Sequence, residues 1–208
     1  MGIIDNYADL PVGTWQEILL VNKDERRDDI DRQVATVALL SGLSEREVLN
    51  LPIAEYKEMA ARAAFLNEPC ADDGARVAKS YILGGKKYVL QDDFRKITTA
   101  QYIDYQTFIQ MGDGAVVDIL SVFLVPDGMT YGDGYDLDEA KNAIRTDISV
   151  KTAVDIGAFF LTQYVAFLTR SLRFSGTMAR KAKMKAAEKE IQDLLLTLSG
   201  TSGAGSTT

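Results

Sequence analysis

The 208-residue chain contains no histidine. That absence removes Ser-His-Asp triads, Cys-His nucleophile pairs and every imidazole metal site. There is one cysteine, Cys70, so neither an intramolecular disulfide nor a cysteine-rich zinc site can form. Its neighbours Asn67, Glu68, Pro69, Asp72 and Asp73 are turn-forming or acidic, with no cation to make the thiol reactive. The expected role is a loop thiol in a reducing compartment. Long apolar runs are also lacking. The longest uncharged one, Ile156 to Thr169, falls short of the roughly 20 residues that cross a bilayer. Residues 1–10 carry early acids and no basic stretch leading into an apolar one, so a signal peptide is not expected.

What remains for catalysis is carboxylates and lysines, and their arrangement is unpromising. Asp28-Asp29, Asp72-Asp73 and Asp92-Asp93 are chain neighbours, whose side chains point in different directions. They read as solvated turn residues. Gly84-Gly85-Lys86-Lys87 lacks the first glycine and the hydroxyl residue of a phosphate loop. Pro126 to Glu139 is rich in Asp and Gly, but a calcium loop opening at Asp127 would place Met129 and Tyr131 where oxygen ligands belong. A structured turn ending in a helix cap by Asp136 and Glu139 is expected there, with Tyr131 and Tyr135 open as a recognition surface. The reading is therefore no enzyme, no metal and no cofactor. A net charge of −7 argues against general nucleic-acid binding by the whole surface.

With 47% apolar residues the chain can bury a substantial core, and its patterning is that of a mainly α (α+β) protein forming one compact domain. Residues 1–75 form a first helical segment. It has a helix start close to Pro11 or Thr14, with capping-box spacing at Thr14/Glu17 and again at Ser44/Glu47, a buried helix over Val34 to Leu43 closed by Gly42, and a further start at Pro52. Lys23 to Arg32 alternates acids and bases, as a solvated face or connector does. Residues 76–96 are a β-hairpin turning on Gly84-Gly85, which must lie on the helices or pair with another chain. Residues 97–148 are a second helical segment and a candidate repeat of the first. Leu10, Gly13, Trp15 and Glu17 match Ile97, Ala100, Tyr102 and Asp104, and the apolar run Val116 to Val125 stands where the buried helix of the first segment stands. Residues 149–198 are helical, first apolar and then basic, and residues 199–208 are a low-complexity tail expected to be disordered.

The charge is unevenly distributed. Arg170 to Lys189 holds seven basic residues and one acid, a local +6 that leaves −13 for the rest of a chain of net −7. Such an arm is either a solvated helix face or a dock for an acidic partner, nucleic acid or another copy of the acidic body. Few aromatics interleave with it, which disfavours single-strand stacking.

The order LPVGTWQEIL, VALLSGLSEREVLNLPIAEY, FLNEP, GGKKY, ITTAQYIDYQTF and ILSVFLVPDG…GYDLDEA resembles a group of small proteins from the structural gene modules of tailed bacteriophages, notably those infecting Bacteroidetes, described as tail assembly chaperone-like. The similarity spans about Leu10 to Leu172. It implies a non-enzymatic morphogenesis protein of the host bacterial cytoplasm that shields apolar segments of a tape-measure protein. Its partners would be tape-measure or tail proteins or a second copy, with no membrane and no general role for nucleic acid. The partner-binding residues it implies are Phe159, Phe160, Tyr164 and Phe167 on the apolar helix, with Arg170, Arg173, Arg180, Lys181, Lys183 and Lys185 on the basic arm. The alternative it leaves is a structural virion component, a head-tail connector or internal capsid protein whose basic arm faces DNA or a neighbouring subunit.

Overall fold

The computed structural model describes residues 2–71, 77–93 and 96–160. The first helix, α1 (Val12–Lys23), opens at Pro11, whose extended backbone and missing N–H suit a helix start. Thr14 and Glu17 consequently lie inside the first turns, and the capping box their spacing predicts does not form. The Val12 N–H is satisfied from far away. It donates to the Ile148 carbonyl at 2.8 Å, while Val150 N–H donates to the Leu10 carbonyl at 2.8 Å. The start of α1 is thereby clasped antiparallel to the start of the last described helix, α8 (residues 150–160).

Helices α2 (Asp29–Ser41), α3 (Glu45–Leu49) and α4 (Ile53–Arg62) are set by local chemistry. Asp28 accepts from the Asp31 N–H at 2.8 Å, and Asp29 and Asp31 favour the positive end of the α2 dipole. Gly42 ends α2 in the left-handed conformation, φ 70°, as expected. The Ser44/Glu47 capping box forms with both reciprocal bonds, at 3.2 and 2.8 Å. A 3₁₀ turn, Ala63–Asn67, follows α4.

Strands β1 (Ser80–Leu83) and β2 (Lys86–Leu90) turn on Gly84 and Gly85, whose φ angles of 56° and 74° meet the hairpin's demand for two positive values. The hairpin rests on the body: the Gly84 N–H donates to an Asp147 carboxylate oxygen at 2.6 Å. It also gains a third strand. The apolar run Val116 to Val125 is expected to be one buried helix, but α6 (Val116–Phe123) stops at Phe123 and Leu124–Pro126 becomes β3. This strand pairs antiparallel with β2, Val89 opposite Val125. An uninterrupted apolar run fits either state, and the free edge of β2 decides its last residues. Helix α5 (Thr99–Met111) precedes α6 through a 3₁₀ turn, and α7 (Leu137–Asp147) follows the Asp/Gly-rich turn. As expected, Asp136 caps α7, accepting from Asp138 and Glu139.

The fold is thus mainly helical with a small antiparallel sheet. Helix α1 is its hub, packing on α2, α6 and α7. Leu10, Ile18, Leu40, Phe123, Ile144, Ile148 and Ile156 are fully buried around it, each contributing about 1.5–3 kcal/mol of hydrophobic stabilisation. Positions matched as a repeat meet different surroundings. Trp15 is 3% exposed and Tyr102 48%. Gly13 sits where a Cβ would overlap the Arg145 side chain, whereas Ala100 faces solvent. Cys70 lies in a loop, as expected, yet it is buried in the core.

Candidate functional site

Helix α1 presents Trp15, Ile18, Leu19 and Asn22 on one face, the i, i+3, i+4, i+7 spacing of a helical stripe. Thr36 and Val37 of α2 face it from one side. Ala60 of α4 and Ala63, Ala64 and Leu66 of the 3₁₀ turn face it from the other. Between them runs an open groove of about 710 Å³, within the roughly 300–1,000 Å³ of ligand sites. Three of its wall residues are alanines, too short to fill the space. Two contacts brace its surroundings, one between helices and one beneath Trp15. In the first, Tyr56 OH donates to Gln33 Oε1 at 2.8 Å, tying α4 to α2. Beneath Trp15, the Tyr7 ring wedges edge-on between Trp15 and Phe65, with centroids 5.9 and 5.0 Å away. Tyr7 OH donates to the Glu68 carbonyl at 2.8 Å, and burial pushes its pKa up to about 12.

The groove's polar groups are unevenly satisfied. Arg32 Nη1 donates to Asp29 Oδ1 at 3.1 Å and Nη2 to the Asp24 carbonyl at 3.2 Å. Arg32 Nε and Trp15 Nε1 are both buried without an acceptor among the described residues. Each such donor costs about 1–3 kcal/mol. Two unsatisfied N–H groups on residues lining one cleft are the feature of this molecule that points most directly to a ligand. The groove escapes sequence reasoning because three separate stretches build it. The signal present was an alanine-rich α4 and a lone tryptophan on a helix stripe.

On the other side of α1 several polar groups are paired across elements, although Gln16 Oε1 and Tyr135 OH are also buried without a partner among the described residues. Tyr131 OH donates to Asp104 Oδ2 at 2.9 Å; burial, and then this bond, raise the phenol's pKa. Tyr131 is 8% exposed and Tyr135 half-buried, so the pair does not form the recognition surface left open for it: the turn folds back onto α5. Lys141 pairs with Asp118 at 2.6 Å and sits 5.3 Å from the Phe108 ring centre.

Of the residues expected to bind a partner, Phe159 and Phe160 are described. Phe160 is 7% exposed, its ring 4.1 Å from that of Phe123, so it belongs to the core and is not an exposed anchor. Phe159 is half-buried, 5.6 Å from Phe160. Apolar faces of this helix have partners within the chain, which the periodicity alone could not reveal. Tyr164, Phe167, Arg170, Arg173, Arg180, Lys181, Lys183 and Lys185 lie outside the described residues. Among the described residues no group of three or more acidic or cysteine side chains is placed to hold a metal. No helix among them is long and apolar enough to cross a membrane. Compared with protein-family models, curated proteins and solved structures, the chain matches none.

Proposed function

We propose that this chain is a non-enzymatic phage morphogenesis protein, a tail assembly chaperone that holds apolar segments of a tape-measure protein in the host cytoplasm until the tail tube forms around them. The observation that carries the reading is the groove, in which Leu19, Ala60, Ala63, Ala64 and Leu66 form an apolar, mostly small-residue wall beside a polar lining that includes Asn22, Arg32 and Gln33. Such a surface suits the apolar face of a partner helix. The resemblance of residues 10–172 to tail assembly chaperone-like proteins supports the same role.

The test is where the protein goes. A chaperone co-purifies with the tape-measure protein from infected cells and is absent from washed virions analysed by mass spectrometry. Detection in virions at fixed copy number would overturn the chaperone role in favour of a connector or internal capsid protein, with the basic stretch Arg170 to Lys189 facing DNA or a neighbouring subunit.

A further inference from the structure

Resting on that reading, we propose that the segment received by the groove is an apolar helix carrying one acidic side chain on its binding face, and that Arg32 takes this carboxylate. The groove supplies both halves of the match. Leu19, Ala60, Ala64 and Leu66 offer apolar contact, and Arg32 Nε and Trp15 Nε1 are buried N–H donors with no acceptor among the described residues.

The backbone of a partner helix cannot meet that demand along its length, because its carbonyls already accept from N–H groups four residues on. The acceptor must come from a side chain. An anionic one is favoured because the Arg32 bond is then charge-assisted, roughly twice as strong as a neutral one. Each Nη of Arg32 makes one bond, to Asp29 and to the Asp24 carbonyl, which orients the guanidinium, while Nε is buried without an acceptor among the described residues. Context sharpens the selection. Lys23 and Arg32 line the groove against one acid, Asp29, so in a chain of net −7 an acidic residue within an apolar partner finds a net positive site there.

Trp15 makes the test direct, since it is the only tryptophan and its emission reports the groove. The probe is a synthetic Leu/Ala helix of about 18 residues, long enough to hold helical structure. It carries one central Glu and has a twin with Gln there; both are titrated into the full chain by Trp15 fluorescence and calorimetry. The Glu peptide should shift the emission and bind about tenfold or more tightly than the Gln twin. With Arg32→Met, which keeps much of the apolar stem, that preference should disappear while the Gln peptide binds as before. The difference between differences isolates the pair from any general loss of stability.

Equal binding of both peptides to the wild type, or a preference that survives Arg32→Met, would overturn the carboxylate assignment. No binding and no change in Trp15 emission would overturn the groove as a dock. The two readings fail separately. A Glu-selective groove in a protein that never captures tape-measure protein sinks the morphogenesis role alone. Undiminished capture of tape-measure protein by the Arg32→Met variant sinks this inference alone.

Discussion

Helix α1 divides the molecule into two regions that stabilise themselves differently. On the α5–α8 side, tertiary contacts add to the local caps of α5 and α7. Phe123 packs between the rings of Tyr105 and Phe160, Tyr131 is bonded to Asp104, and the buried Gln101 reaches the Val122 carbonyl at 2.8 Å. On the α2–α4 side, much of the stabilisation is local. Asp28, Gly42 and the Ser44/Glu47 box end and start helices with their own neighbours. There a groove remains open, with two N–H donors unmatched. The difference is one of burial and not of capping, since α5 and α7 are capped as well, and it leaves the α2–α4 side a face for something else.

The comparison breaks first if the closed side is not closed. Phe123→Ala should cost about 3–5 kcal/mol of unfolding free energy in denaturant titration, as full truncation of a buried ring does. A loss below about 1 kcal/mol would mean that α5, α6 and α8 are not packed as described. The next test is the seam between the regions. At Gly13 a Cβ would overlap Arg145 Cγ and lie 2.9 Å from its backbone carbonyl. Gly13→Ala should therefore destabilise by about 1–3 kcal/mol despite the better helix propensity of alanine.

Alkaline titration sharpens the contrast further. Buried Tyr131 has its pKa raised in the folded state, while in the unfolded chain it ionises near 10. The unfolded state thus loses its proton first. The stability linked to this tyrosine is intact below pH about 10 and falls as the pH climbs toward the folded value. Tyr7, on the groove side, does the same between about 10 and about 12. Tyr131→Phe should flatten the alkaline loss and cost about 1 kcal/mol at neutral pH, measured by denaturation across pH 8–12. The smallest effect on stability is expected at the groove's lip. Ala64 is exposed, so Ala64→Glu should change the unfolding free energy by no more than about 0.5 kcal/mol while abolishing capture of the acidic peptide.

Local chemistry was legible in the residues, and long-range chemistry was not. Gly42, Gly84-Gly85, Ser44/Glu47 and Asp136 act within a few positions of themselves, and each does what its spacing implies. Thr98 and Gln101 form a further capping box of the same local spacing. Thr14/Glu17 fails because Pro11 starts the helix three residues earlier. The strand at Leu124–Pro126 depends on an open edge of β2, far away in the chain. The burial of Phe160 depends on Phe123, and the groove depends on three helices meeting. None of these follows from periodicity, because the deciding partner is not within the window.

The clasp between Leu10–Val12 and Ile148–Val150 also sets a schedule. Its two stretches of backbone lie about 138 residues apart, so in a chain being made at about 5–20 residues per second the first N–H of the hub helix waits roughly 7–28 s for its acceptor. Early in that interval α2 and α3, capped by Asp28 and Ser44, have their local contacts while α1 lacks α6 and α7, which bury its other side. An apolar helix exposed for so long is a hazard in a crowded cell, and it makes the second half of the chain the one whose synthesis completes the first.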